Sequence, residues 1–136
     1  NEYRRIEYNI PVEVAQIAKS NSVNSFIYIS SLGANSNAPG DYLKNKGQVE
    51  EELKKLNFTK LAILRPSILL GERKENRVGE KIGVFVMQML SPLFFGNLKK
   101  IKPIKAEYVA KAMFAIAQND YQKNVFESDQ IVEVSN

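Results

Sequence analysis

The run Phe26-Ile27-Tyr28-Ile29 constrains the fold more than any other stretch of this chain, being short, wholly apolar and built from aromatic and β-branched residues. It predicts a strand buried on both faces of a parallel sheet, and so an α/β architecture. Ser30 and Ser31 stand at its carboxyl end. Ligands bind at that end in open α/β sheets, where strand termini and helix N-termini converge on a crevice. Gly33 and the cluster from Asn35 to Gly40 break the strand, and Asp41 is placed to cap a helix running to about Leu56.

Tyr42 and Lys46 lie four apart on that helix and therefore share a face. A lysine cation beside a phenol stabilises phenolate, so Lys46 is expected to pull the Tyr42 pKa down and ready it for proton exchange with an alcohol or carbonyl. Ser31, with Ser30 as its alternate, is placed to hold the same oxygen. The candidate catalytic set is Ser31, Tyr42 and Lys46.

Leu61 to Leu64 reads as a second strand, closed by Arg65-Pro66. The loop from Pro66 to Gly71 again falls at a strand's carboxyl end, with Ser67 a candidate donor and an ordinary strand exit as the plain alternative. Ahead of the first strand, Ile6, Ile10, Val14, Ile17 and Ala18 recur every three or four residues and predict an amphipathic helix. Pro11 sets its form: either the helix starts near Asn9, or a longer helix kinks there. Between Gly47 and Leu56, Val49, Leu53 and Leu56 face inward, while Glu50 with Lys54 and Glu51 with Lys55 read as surface pairs.

Residues 72–81 read as a charge-mixed loop, in which Arg73 and Arg77 are candidates for an anionic substrate. Ile82 to Leu90 and the following Pro92-Leu93-Phe94-Phe95 offer an apolar surface for a core, a lid or a subunit contact. Lys99, Lys100, Lys102 and Lys105 form the one basic cluster, a solvated loop or a phosphate contact. Ala106 to Gln118 predicts a helix with Val109, Ala112, Met113 and Ile116 buried, and Val125 to Glu127 a last short strand.

Taken in order, SSLGA, a short loop, YLKNK and ILRPSILLGER resemble the atypical branch of the short-chain dehydrogenase/reductases. Within it they are most similar to NAD(P)-binding oxidoreductases like the human HIV-Tat-interacting protein. The likeness runs from about Ile6 to Phe126. It implies a Rossmann-type three-layer fold with a parallel sheet, and catalytic roles for Ser31, Tyr42 and Lys46. It also implies that Ser30, Tyr42, Lys46, Arg65, Pro66 and Ser67 line the cofactor, NADP or NAD, and that Asn9 lies near an active-site asparagine of extended relatives, a capping or surface residue being the alternative. The family's glycine-rich pyrophosphate loop is absent from these 136 residues. The chain is therefore read as the second, C-terminal half of a single NAD(P)-binding domain.

The expected function is NAD(P)H-dependent oxidoreduction of a small carbonyl or alcohol, with a non-catalytic NAD(P)-binding regulator and a sugar-nucleotide epimerase as rivals. A net charge of +4, with both signs interspersed, gives no nucleic-acid footprint. The absence of cysteine and histidine excludes disulfides, thiolate zinc sites and histidine triads. With no run of 18 apolar residues and no signal-like start, a cytoplasmic enzyme without membrane attachment is expected. A half-domain with an open sheet edge is expected to self-associate or pair with its missing N-terminal half.

Overall fold

The computed structural model describes residues 1–70 and 102–136. The apolar surface expected over residues 82–95, the charged loop with Arg73 and Arg77, and Lys99 and Lys100 lie outside the described residues.

Three parallel strands form the central sheet: β1 (Ser25–Ile29), β2 (Lys60–Arg65) and β5 (Val125–Glu127), in that spatial order. Phe26 pairs with Leu61 and Ile29 with Leu64, and Leu64 in turn pairs with Phe126. Parallel neighbours require crossover helices, and the chain supplies α3 (Asp41–Lys55) after β1 and α4 (Ala106–Gln118) before β5. A short α5 (Ser128–Val134) follows β5. A second, two-stranded parallel sheet joins β3 (Leu69–Leu70) to β4 (Ile104–Lys105).

Alternation along the strands sends side chains to two cores. Tyr28, Leu61 and Ile63 pack on one face with Val49 and Leu53 of α3 and with Val12 and Ala15 of the N-terminal helix. Ala62, Leu64 and Phe126 pack on the other with Val109, Ala112 and Ile116 of α4 and Ile131 of α5. Helices thus cover both faces, giving the three layers of a Rossmann-like α/β fold. Each of the fully buried Leu, Ile and Phe side chains contributes roughly 1.5–3 kcal/mol by leaving water. At the far end of β2, Lys60 closes the last turn of α4, donating to the carbonyls of Ile116 at 3.2 Å and Asn119 at 2.9 Å.

Two readings of the sequence are corrected here. The N-terminal helix does not bury the stripe that its periodicity singles out: Ile6, Ile10, Val14 and Ile17 are exposed, Ile17 at 62%. It turns Val12 and Ala15 inward, with Tyr8 and Ala18 partly covered beside them. Both stripes have helical spacing, and only the neighbouring elements choose between them. The helix start is also resolved: α1 (Glu2–Arg4) continues through a π-helical turn (Arg5–Asn9) into α2 (Ile10–Ser20). In that turn the Ile10 N–H reaches back five residues to the Arg5 carbonyl. The widening sits just ahead of Pro11, whose missing N–H and bulky ring disturb a regular turn.

The second correction is at α3, where Gly40 is the N-cap and Asp41 the first helical residue. The carboxylate of Asp41 therefore lies in the first turn, where it suits the helix dipole without capping it.

Candidate active site

The carboxyl end of β1 continues the hydrogen bonding to the neighbouring segment for three residues beyond the strand. Ser30 N–H donates to the Leu64 carbonyl at 2.7 Å and Leu32 N–H to the Pro66 carbonyl at 3.0 Å. Gly33 then takes φ 80°, and Ala34 N–H closes a turn on the Ser31 carbonyl at 3.0 Å. That left-handed conformation is cheap for glycine alone. The turn is held against α3 by the Asn35 N–H, which donates to the Leu43 carbonyl at 3.1 Å, and by the Ser36 hydroxyl, which donates to Glu51 at 2.5 Å. Glu51 is thereby a loop anchor, and Lys55 pairs with Glu52 instead.

This packing brings Ser31, Tyr42 and Lys46 to one place. Ser31 is buried, and its hydroxyl lies between two acceptors for its one proton, the Leu32 carbonyl at a long 3.3 Å and the Tyr42 phenol. Tyr42 is 38% exposed and forms the open rim of the site. The Lys46 ammonium lies 5.1 Å from the centre of the Tyr28 ring and 5.8 Å from that of Tyr42, a cation held between two aromatic faces.

Glu7 changes the electrostatics. Its carboxylate pairs with Lys46 at 3.3 Å. Desolvation of the Tyr42 hydroxyl raises its pKa, a hydrogen bond from Ser31 lowers it, and the Glu7 charge raises it further, for a net upward shift. The expected lowering by Lys46 is therefore not what the fold produces: burial of the phenol sets the upward direction, and Glu7, paired with Lys46, adds to it. Tyr28 is pushed up as well, by burial first and then by Glu7, Tyr42 and Glu50, and its hydroxyl has no hydrogen-bond partner among the described residues.

The remaining expected cofactor residues are engaged elsewhere. Ser30 donates to Glu50 at 2.6 Å. Arg65 grips the same carboxylate through two nitrogens, Nε at 2.9 Å and Nη2 at 2.5 Å, and reaches Glu127 with Nη1 at 3.2 Å. Hydrogen bonding to Glu50, then the Glu50 and Glu127 charges, hold the Arg65 pKa above its ordinary value against burial. Ser67 donates to the Lys102 carbonyl at 2.6 Å and lies 3.0 Å from Ser128, which donates to it. Pro66 is buried, its carbonyl already taken by Leu32. Asn9 is exposed, and it is Glu7, two residues before it, that faces Lys46.

Sequence reasoning missed Glu7 and Glu50. Glu50, read as a surface partner of Lys54, is 1% exposed and is the counter-ion of Arg65. The signal was present: Leu43, Gly47 and Glu50 follow the same three-and-four spacing as the inward face of α3. For Glu7 no local signal exists, because its partner Lys46 lies on a different helix, far along the chain.

No family model matches the chain. Among curated proteins it is similar to Protein FMP52-1, mitochondrial, of Scheffersomyces stipitis, with 38% identity over 125 residues, covering 89% of this chain and 53% of the relative. Protein FMP52, mitochondrial, of Candida albicans is 37% identical over 117 residues, covering 85% of this chain and 50% of the relative. The Candida glabrata protein of the same name is 34% identical over 122 residues, 88% of this chain and 52% of the relative. The chain spans about half the length of the curated relatives it matches. Two expectations are corrected by these names. The relatives are FMP52 proteins, not oxidoreductases of the HIV-Tat-interacting type, and they are mitochondrial, which overturns the cytoplasmic assignment.

Proposed function

We propose that this chain carries the proton-transfer site of a mitochondrial NAD(P)H-dependent reductase of small carbonyl compounds. The observation that supports the reading is the assembly of Ser31, Tyr42 and Lys46 at the carboxyl end of β1, with Tyr42 38% exposed and the buried Ser31 hydroxyl within hydrogen-bonding reach of its phenol. The mitochondrial setting rests on the names of the similar proteins.

The upward shift of Tyr42 gives the site a direction. A phenol with an ordinary pKa near 10 is about a thousandth ionised at pH 7, and one shifted upward is less so. Tyr42 is thus a proton donor, suited to reduction of a carbonyl rather than to deprotonation of an alcohol. Ser31 steadies the carbonyl oxygen as negative charge develops on it, and Tyr42 delivers the proton to that oxygen. A bound nicotinamide would supply the hydride. Lys46 has three donor hydrogens and spends one on Glu7, so ribose hydroxyls fit its remaining capacity. Arg65, Ser30 and Ser67 support the frame of the site from within, since their side chains are already paired.

The test is Tyr42→Phe in the full-length protein. Turnover of short aldehydes and ketones should fall by about a hundred-fold or more, the scale of losing a general acid, while NAD(P)H affinity stays within a few-fold. Unchanged turnover would remove Tyr42 from the chemistry. A parent protein that binds NAD(P)H and reduces no carbonyl would favour the regulatory alternative.

A further inference from the structure

The π-helical turn from Arg5 to Asn9 carries one carboxylate, Glu7, toward α3. Glu7 leaves that turn, crosses to α3 and meets Lys46 at 3.3 Å, with the lysine side chain 14% and the glutamate side chain 25% exposed. One turn earlier Arg4 fastens the same two helices, donating to Asn45 and Gln48 at 2.9 Å each while lying 4.2 Å over the Tyr8 ring. The approach of the N-terminal helix to α3 is therefore polar and specified residue by residue, and its product is a carboxylate delivered to the lysine of the proposed site.

We propose that Glu7 is a positioning residue of this site: it holds the Lys46 ammonium between the Tyr28 and Tyr42 rings and cancels its charge, which keeps Tyr42 a neutral proton donor. The proposal rests on the reductase reading for its consequence, though not for its geometry. Lys46 at full charge beside Tyr42 would favour phenolate. Paired with Glu7 it presents a dipole, whose field at the phenol is much weaker. The other groups facing this cluster are Tyr3 from α1, Tyr28 from β1, and Asp41 and Glu50 from α3. Glu50 is already balanced by Arg65, and Asp41 bears on Tyr3, leaving Glu7 as the one carboxylate that pairs with Lys46 among the described residues.

The experiment is a tyrosinate titration of the full-length protein by near-ultraviolet absorbance, with the contribution of Tyr42 obtained by difference from Tyr42→Phe. Glu7→Gln preserves shape and removes charge, and should lower the Tyr42 midpoint by about half a pH unit or more. Lys46→Gln strands Glu7 and should raise it. The double variant should return toward the parent value, and Glu7→Asp should retain most of the parent value. A merely structural role would not produce opposite shifts. The proposal is overturned if Glu7→Gln leaves the Tyr42 midpoint in place, or if both single variants move it the same way. Should Glu7→Gln fail to fold, Lys46→Gln alone decides, and a midpoint that stays or falls overturns the assignment. Opposite shifts in a protein that turns over no carbonyl would uphold the role of Glu7 at Tyr42 and refute the reductase reading, so the two failures are distinct.

Discussion

Replacing Arg65 with methionine removes both nitrogens that grip Glu50 and leaves that carboxylate, in a residue 1% exposed, with Ser30 as its remaining donor among the described residues. Stranding one member of a buried pair costs about 3–5 kcal/mol, and the expected loss at pH 7 is of that size. Urea unfolding of parent and variant at pH 7, followed by far-ultraviolet circular dichroism, measures this directly. Combining Arg65→Met with Glu50→Gln should recover most of the loss. A cost below about 1 kcal/mol would refute the reading of Glu50 as a buried charge held by Arg65.

Two further outcomes concern the same frame. Tyr28→Phe deletes a buried hydroxyl that has no partner among the described residues and should be neutral or stabilising by about 1 kcal/mol in thermal melts at neutral pH. The folded state also holds the Tyr28 proton more tightly than the unfolded chain. Parental stability should therefore be complete below about pH 10 and decline above it, and the variant should decline less. Gly47→Ala should destabilise by about 1–3 kcal/mol or more, because a Cβ there collides with the backbone of Asn35 and Ser36, which must shift. A Gly47→Ala protein with the parent's melting temperature would show that the turn after Ser31 does not rest on α3.

What the sequence determined by itself was local. The apolar run at Phe26, the serine turn, the helix bearing Tyr42 and Lys46, the Ala-rich helix and the strand at Val125 are each encoded by neighbours a few residues apart. Periodicity, glycine at the turn and proline after Arg65 were sufficient to place them. The grouping of Ser31, Tyr42 and Lys46 in space followed from the same local order, since a serine at a strand end and a tyrosine four residues before a lysine are set by one loop and one helix. The tertiary structure decided everything that depends on which charge meets which. Glu50 became a buried counter-ion because β2 brings Arg65 beneath α3, and Glu7 reaches Lys46 because the π turn that carries it packs against α3. The direction of the Tyr42 shift, upward rather than downward, comes first from the burial of its phenol against neighbouring elements and then from the approach of Glu7. The face that the N-terminal helix buries was likewise undecided in the sequence, where two stripes of similar spacing compete. A charge acts through space, and a helix face is chosen by what lies opposite it, so neither can be read from spacing along the chain.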